Sequence, residues 1–446
     1  MRSSNGRARG RYGRFTRTRR QLAVPAAAAT LILLTATACS GGGKPASTAG
    51  KHKPAAPAAA AAAAQLSISP DNGAKNAAPD RGITVRVANG KIGHVTVTAH
   101  GDPVTGVLTH SGTVWRSQWA LSVDKQYTVT ATATNSAGKT VTATSSFRTL
   151  NPSRTFRTMI LESSHQTYGV GMPILLQFDH PIAKRFRAGI ERSLQITTSK
   201  PVVGAWYWDD RCGVAPTCLY FRPRAYWPAH TKVSFTGHLN GVEGAPGVYG
   251  DHTLTQSFSI GRSLIVTAST SNHHMQLYRN GHMIDHWPIS TGRPGDNTPN
   301  GTYLTIDKGN PVDMVGPGYN LEVPWSVRIT WSGDYLHDAY WSVGEQGFTN
   351  VSHGCVNMPP AAAEAYYKME VPGDPVTITG SPRAGTWGNG WTQWFLSWKQ
   401  LVAGSALHEA VQADPHGSTF IAPSSVPPSH AKAPLETANW GNAQAT

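Results

Sequence analysis

A cysteine and two histidines in the last third of the sequence could carry out acyl transfer. Cys355 is the candidate nucleophile, preceded closely by His353 and at a greater distance by His337. Acyl transfer by cysteine needs a thiolate, a base that forms it, donors for the oxyanion and a group that orients the base. Because Gly354 lets the backbone approach a substrate carbonyl, the amides of residues 353–355 are the candidate oxyanion donors. This chemistry requires no metal or cofactor.

The two histidines compete for the role of base. We assign His337 as the base, because it comes from a separate element and can fold against the sulfur. The side chains of residues two apart, such as His353 and Cys355, often cannot contact each other directly. One alternative is a buried, inert thiol near a core histidine. Another is a zinc site built from these three residues, against which the irregular spacing and the lack of a paired CxxC argue.

Cysteine usage singles out Cys355. The chain has four cysteines, and Cys212 and Cys218 flank a short stretch that a disulfide could close in an oxidising compartment. Cys39 follows the small residues Ala36-Thr37-Ala38 and resembles the lipidated cysteine of a bacterial lipoprotein. The lipoprotein consensus motif prefers Leu at the position where this chain has Ala36. With three cysteines thus assigned, Cys355 is left over as a free thiol in an exported protein.

The N-terminus predicts export. Residues 1–20 hold eight arginines and no acid, and an apolar run follows from Leu22 to Ala38. This run is shorter than the roughly 20 residues that a membrane-spanning helix needs, so we expect a cleaved signal peptide. Without the leader, the net charge of +14 falls to +6. That charge is too dilute for a nucleic-acid surface, so we expect no nucleic-acid partner.

The composition predicts a mainly β fold of several domains. Charged residues make up only 14% of the 446 residues, and Gly and Pro are abundant. Period-two alternation, as in Tyr127-Val129-Ala131-Ala133, indicates half-buried antiparallel strands, and we expect Trp115 and Trp119 to fill the core of the first sandwich. The predicted organisation is a signal peptide (1–38), a lipidated cysteine with a flexible linker (39–65), two immunoglobulin-like β-sandwich domains (66–150 and 151–261), a β-rich domain that carries the chemistry (262–380), a Trp-rich helical C-terminal extension (381–410) and a disordered tail (411–446).

Two groups of aromatic residues have both a packing and a binding interpretation. The second sandwich holds seven aromatic residues between Trp206 and Trp227, for which buried packing is favoured over a glycan-stacking platform. Four tryptophans, Trp387, Trp391, Trp394 and Trp398, follow a spacing of i, i+4, i+7, i+11 that places them on one face of a helix. We expect this helix to pack onto the domain that carries the chemistry.

The motifs resemble those of the L,D-transpeptidase family, whose YkuD-type catalytic domain carries a histidine followed after a loop by Ser/Thr-His-Gly-Cys-x-Asn. The resemblance covers about residues 262–380, where Ser290-Thr291-Gly292 and Thr298 to Tyr303 fit the family's first motif. The layout of lipoprotein cysteine, two immunoglobulin-like domains, catalytic domain and Trp-bearing extension is similar to that of the actinobacterial members.

The resemblance implies a role for each site residue. Cys355 would be the nucleophile and His337 the general base, with His353 and Gly354 in the oxyanion and substrate shell. The remaining implied positions are the supporting polar residues Ser352 and Asn357, the lid residue Tyr319, the wall residue Trp341, and Asp338, whose carboxylate or backbone carbonyl would orient the base.

The resemblance also implies the reaction and its partners. Cys355 would attack the carbonyl of the third residue of a peptidoglycan tetrapeptide stem and release D-alanine, and the amine of a diaminopimelate-containing acceptor stem would resolve the thioester. Carbapenem β-lactams would inhibit, and a lipid on Cys39 would hold the enzyme at the membrane, facing the wall. Hydrolysis, attachment of a protein to the wall, and a catalytically silent wall-binding lipoprotein are the alternatives.

Overall fold

The computed structural model describes residues 61–99, 102–316 and 319–426. The predicted signal peptide, Cys39 and most of the predicted linker lie outside these residues. Strands dominate the described chain, as the composition predicted. Within it, no helix has the length and apolar character needed to cross a membrane.

The first domain is a sandwich of two four-stranded antiparallel sheets, with strand orders β1-β2-β6-β5 and β4-β3-β7-β8. Alternate residues of β7, including Tyr127 and Val129, are buried between the sheets. Trp115 lies in this core, but Trp119 does not; it stacks on His238 of the second domain. The strands are β1 (Gln65–Ser69), β2 (Thr84–Ala88), β3 (Lys91–Ala99), β4 (Asp102–Pro103), β5 (Gly106–Thr109), β6 (Val114–Ser117), β7 (Gln126–Thr134) and β8 (Thr140–Arg148).

The second domain packs its sheets around a core in which Trp206, Phe221 and Trp227 are almost fully buried. The packing interpretation of these aromatic residues is therefore confirmed. The elements are β9 (Arg154–Phe156), β10 (Thr158–Ile160), β11 (Thr167–Tyr168), β12 (Ile174–Phe178), α1 (Lys184–Arg192), β13 (Leu194–Thr198), β14 (Val202–Asp209), β15 (Thr217–Pro223), β16 (Lys232–Gly237), β17 (Glu243–Ala245), β18 (Val248–Gly250) and β19 (Leu254–Ile260).

The third domain carries the candidate site. A five-stranded sheet, β22-β21-β20-β30-β23, and a four-stranded sheet, β24-β27-β28-β29, share a core with helix α2, and β25 and β26 form a separate hairpin. The elements are β20 (Leu264–Ser269), β21 (His274–Arg279), β22 (His282–Pro288), β23 (Gly301–Leu304), β24 (Lys308–Gly309), β25 (Val312–Gly316), β26 (Tyr319–Val323), β27 (Ser326–Arg328), β28 (Tyr335–Asp338), β29 (Val356–Met358), α2 (Pro360–Met369) and β30 (Pro375–Thr379).

The tryptophan-bearing segment does not form the single helix that its spacing predicts. Gly388 and Gly390 adopt φ values of +81° and +106°, which a helix cannot accommodate. Helical structure here is limited to a 3-10 turn at Gln393–Phe395 and the short helix α3 (Trp398–Ala403). The expected packing onto the domain that carries the chemistry is also largely wrong, because the indoles pack mainly on the second domain. Trp394 donates a hydrogen bond to the Gly171 carbonyl (2.7 Å) and Trp387 donates to Asp209 Oδ2 (3.1 Å), while Trp391 also contacts Trp331 of the third domain.

The predicted disordered tail, 411–446, is wrong for its first part. Strands β31 (Ala410–Asp414) and β32 (Gly417–Ile421) form a hairpin, and β31 pairs antiparallel with β14. Val411 and Ala413 are buried in the core of the second domain. The hairpin is ordered because it extends an existing sheet, which the polar composition of the segment does not reveal. Residues 427–446 lie outside the described part of the chain.

Candidate active site

The candidate base lies on β28, and the candidate nucleophile immediately precedes the neighbouring strand β29. Strands β28 and β29 pair in parallel, with His337 opposite Asn357, and Cys355 immediately precedes β29. The register therefore places Cys355 two positions from the residue opposite His337. Strand pairing explains why two residues eighteen positions apart in sequence lie in one region of the domain.

His337 is buried and held as a neutral imidazole. Its side chain is only 3% exposed, and Nδ1 lies 2.6 Å from the backbone carbonyl of Asp338. This carbonyl can only accept, so Nδ1 carries the proton and Nε2 keeps its lone pair. Burial lowers the pKa of His337 to about 4, against the opposing effect of the Asp338 carbonyl. The ring of Trp341 stacks on the imidazole, with centroids 5.9 Å apart.

Cys355 is the one free cysteine of the described residues. Although the residue as a whole keeps some exposure, its sulfur is enclosed, and this burial raises the pKa of the thiol to about 12. The neighbouring carboxylate of Asp334 also raises this pKa, whereas the backbone amide of Tyr335 lowers it. The thiol donates to the backbone carbonyl of Gly333, 3.7 Å away. The resting pair is thus a neutral thiol and a neutral imidazole.

The turn before Cys355 is fixed by hydroxyl groups. Ser352 Oγ donates to the carbonyl of Cys355 (2.6 Å) and accepts from the amide of Gly354 (3.2 Å). Thr298 Oγ1 donates to the Gly354 carbonyl at 2.6 Å. The Gly354 amide is therefore engaged by Ser352, which leaves the amides of His353 and Cys355 as candidate oxyanion donors.

Gly354 is required by both conformation and space. Its φ of +134° is one that residues with side chains rarely adopt. A Cβ at this position would lie 2.6 Å from Asp334 Oδ1. Any larger residue would therefore strain the turn and displace Asp334.

The predicted lid and wall residues surround this turn. Tyr319 begins β26, and its ring lies against that of His353 with centroids 4.9 Å apart. Burial raises the pKa of Tyr319, and the proximity of Cys355 adds to this effect. His353 is exposed, while Trp341 is 44% exposed and so borders both solvent and His337.

Asn357 and Asp338 differ in what their side chains contact. The amide of Asn357 donates from Nδ2 to Ser342 Oγ at 3.0 Å, which ties β29 to the turn after the base. The carboxylate of Asp338 does not orient His337, since the backbone carbonyl does so. Among the described residues, Asp338 Oδ1 has no hydrogen-bond partner, and burial raises the pKa of this carboxyl group.

Asp334 is a further residue beside Cys355 that was not predicted from the sequence. This residue is buried, and its Oδ2 accepts from Thr330 Oγ1 (2.7 Å) and Ser332 Oγ (3.3 Å). It lies beside Gly354 and raises the pKa of the Cys355 thiol. One indication of its place was available in the sequence: Asp334 is an acidic residue three positions before His337, just before strand β28.

Two remaining predictions concern cysteines and metals. Cys212, in the loop after β14, and Cys218, on β15, are joined by a disulfide in the second domain. In the described part of the chain, His337, His353 and Cys355 do not form a group that could hold a metal ion.

Comparison with known proteins places this arrangement in a family. The profile of the L,D-transpeptidase catalytic domain matches residues 263–378, and that of a bacterial Ig domain matches residues 74–243. The chain is 33% identical to L,D-transpeptidase 5 of Mycobacterium tuberculosis over 354 residues, which cover 77% of each protein. The chain belongs to the L,D-transpeptidase family.

Other members of the family show similar relationships. L,D-transpeptidase 2 of Mycobacterium tuberculosis is 32% identical over 350 residues, or 74% of this chain and 84% of that protein. A crystal structure of L,D-transpeptidase 3 from Mycobacterium tuberculosis, in complex with a faropenem-derived adduct, is 28% identical and covers 50% of this chain and 97% of its own, with a TM-score of 0.40.

Proposed function

We propose that this family member is a peptidoglycan L,D-transpeptidase that forms 3-3 cross-links through a thioester on Cys355. The observation that supports this proposal most directly is a free thiol two register positions from a buried, neutral histidine whose Nε2 keeps its lone pair. That pair provides a nucleophile and a proton acceptor within one family domain. Further support comes from the turn of residues 352–355, which places backbone amides beside the sulfur.

Acylation begins from two neutral groups. With a thiol pKa of about 12 and an imidazole pKa of about 4, a thiolate–imidazolium pair is not the resting form. Proton transfer from Sγ to His337 Nε2 therefore accompanies attack on the donor carbonyl, while the amides of His353 and Cys355 stabilise the oxyanion. The C–N bond to D-alanine then breaks, and the leaving amine takes the proton from His337. A thioester and a neutral imidazole remain.

Deacylation follows the reverse order of proton transfers. The amine of an acceptor stem attacks the thioester carbonyl, gives a proton to His337 Nε2, and displaces the Cys355 sulfur, which recovers that proton. Tyr319 and His353 close the exposed side of the site, where they shield the thioester from water. An amine acceptor gives a cross-link, and water in its place gives a tripeptide.

The cellular location is part of the proposal. An exported protein with a lipid on Cys39 and a linker of residues 39–65 would reach on the order of 80 Å from the membrane at about 3.1 Å per extended residue. Support comes from the arginine-rich leader and the small-residue exit before Cys39. Replacing Cys39 by Ala should move the protein from the membrane fraction to the soluble fraction, and unchanged partitioning would refute the lipid anchor.

Product analysis tests the activity. The soluble protein, with Cys39 replaced by Ser, is incubated with disaccharide-tetrapeptide and the products are weighed by mass spectrometry. A 3-3 linked dimer with loss of D-alanine supports the transpeptidase, and tripeptide alone indicates an L,D-carboxypeptidase. Absence of both products would favour a silent wall-binding protein or one that attaches other proteins. The Cys355→Ala variant is the control and should give neither product.

A further inference from the structure

A cleft lies where the first and second sandwiches meet, away from the candidate active site. Its volume of about 350 Å³ falls within the range of small-ligand pockets. The first domain contributes Arg81 and Trp119 to its walls, and helix α1 of the second domain contributes Arg185, Gly189 and Arg192. Nothing in the transpeptidase mechanism uses these residues.

Three arginines line this cleft. Within the described residues, Arg81, Arg185 and Arg192 form no salt bridge, whereas Arg187 of the same helix pairs with Asp210. Arg185 and Arg192 are seven residues apart on α1, so they project from the same face. Two carboxylates, Asp80 and Glu243, also line the cleft, and Glu243 accepts a hydrogen bond from the Gly247 amide at 2.8 Å. Three guanidinium groups and two carboxylates therefore give the lining of the cleft a net charge of +1.

Aromatic rings line part of the cleft and are held by contacts with their neighbours. Trp119 stacks on His238 with centroids 3.9 Å apart and ring planes within 9°. Burial lowers the pKa of His238, so this histidine supports the indole as a neutral ring at pH 7. Phe186 lies under the guanidinium of Arg185, 4.7 Å from its ring centroid.

Gly189 keeps the cleft open. A glycine inside a helix costs about 0.5–1 kcal/mol relative to alanine, and this one has an ordinary helical φ. A Cβ built on Gly189 would meet no atom within 4 Å. Neither the backbone nor packing requires glycine here, and a side chain at this position would enter the empty space of the cleft.

We propose that this cleft binds an acidic saccharide of the cell wall. The sugar ring would lie against Trp119, and its carboxylate or phosphate would be bound by the guanidinium groups of α1, whose planar donors suit both anions. Asp80 and Gln118, on the opposite wall, offer polar groups for sugar hydroxyls. Such a site would hold the enzyme on its polymer independently of Cys355.

Titration calorimetry on the soluble full chain tests the proposal. The probes are a muramic-acid disaccharide with a free lactyl carboxylate, N-acetylglucosamine 1-phosphate and neutral chitotetraose. Saturable binding is expected for at least one of the two acidic probes. The probe that binds more tightly identifies whether the anion is a carboxylate or a phosphate. Chitotetraose should bind at least tenfold more weakly. Equal binding of the neutral probe, or no saturable binding of either acidic probe, would overturn the proposal.

Variants locate the binding. Arg185→Ala with Arg192→Ala should weaken acidic binding at least tenfold, and Gly189→Trp, which fills the space, should do the same. Arg154→Ala, an exposed arginine of β9, is the matched control and should bind as wild type does. Undiminished binding in both cleft variants would refute the site. Turnover of soluble disaccharide-tetrapeptide should not change in any of these variants, which separates this proposal from the transpeptidase activity.

Discussion

The thiol of Cys355 donates its hydrogen bond to the backbone carbonyl of Gly333, and not to the imidazole of His337. The next residue, Asp334, is a buried carboxylate held by the hydroxyls of Thr330 and Ser332. Both features favour the protonated sulfur, because the carbonyl accepts the thiol hydrogen and the carboxylate repels a thiolate. The resting thiol is therefore protonated, and the proposed transfer of its proton to His337 would occur with substrate in place.

Alkylation of Cys355 should consequently be slow at neutral pH. With a thiol pKa of about 12, the thiolate fraction rises about tenfold for each pH unit, so iodoacetamide labelling should still be increasing at pH 10. Asp334→Asn removes the like charge and keeps the hydrogen-bond acceptor, so it should accelerate labelling by about 3- to 10-fold at each pH below the pKa. Cys39→Ser protein leaves Cys355 as the thiol to be followed.

Asp296→Asn is the control for this experiment. Asp296 lies near Tyr319 but is partly exposed and paired with Arg293, so its loss should leave the labelling profile unchanged. A plateau near pH 8.5 in the wild type, or equal profiles for the wild type and Asp334→Asn, would contradict the protected thiol.

The roles of the two histidines can be separated by acylation with a carbapenem. His337 has a pKa of about 4, below its ordinary value, so it stays a free base down to mildly acidic pH and the acylation rate should hold from pH 7 to about pH 5. His337→Ala should slow acylation by about 100- to 10,000-fold, as loss of a general base does. His353→Ala should slow it less, by roughly 10- to 1000-fold, and keep the shape of the pH profile.

Intact-mass measurement of the Cys355 adduct gives these rates, with circular dichroism at each pH to verify folding. An acid limb centred near 6.5 in the wild type would mean that His337 is not the buried neutral base. If the wild type shows such a limb and His353→Ala removes it, the roles of His337 and His353 must be exchanged.

The candidate site could be predicted from the sequence more readily than the architecture. Cys355 and His337 could be proposed together because chemistry restricts which residue types serve, whatever the fold. The helix through Trp387 and Trp398 was wrong because side-chain periodicity ignored the glycines between them, and β31 was missed because its order comes from pairing with β14. Asp334 was missed for a related reason: its place beside Gly354 depends on the turn between β27 and β28, and sequence spacing does not show it.

Removing the C-terminal hairpin should destabilise the second domain. A chain that ends at Glu409 loses β31 and β32, exposes the edge of β14 and uncovers the core around Val411 and Ala413. We expect a loss of about 2–4 kcal/mol in the free energy of unfolding and greater aggregation through the exposed edge. Thermal unfolding and light scattering measure both effects.

A chain that ends at Val426 is the matched control for this truncation. Residues 427–446 are rich in Pro and Ala and contain few large apolar residues, so their removal should leave the melting temperature unchanged. A wild-type melting temperature for the chain ending at Glu409 would show that the hairpin contributes nothing to the sandwich.

Glu162 should make the stability of the second domain depend on pH. The residue is 1% exposed, its carboxylate accepts from the Leu175 amide at 3.1 Å, and burial raises its pKa to about 8. Since the folded-state pKa lies above the unfolded value, the folded protein keeps a proton that the unfolded chain releases. This contribution is full below about pH 4.5 and is lost as pH rises through 8.

Glu162→Gln accepts the same hydrogen bond without a charge, so at pH 9 it should be more stable than the wild type, by on the order of 3 kcal/mol. Urea unfolding at pH 5, 7 and 9 measures the difference, with Glu364→Gln, an exposed partner of Lys368, as the control. Parallel pH dependence in the wild type and Glu162→Gln would show that Glu162 carries no such proton.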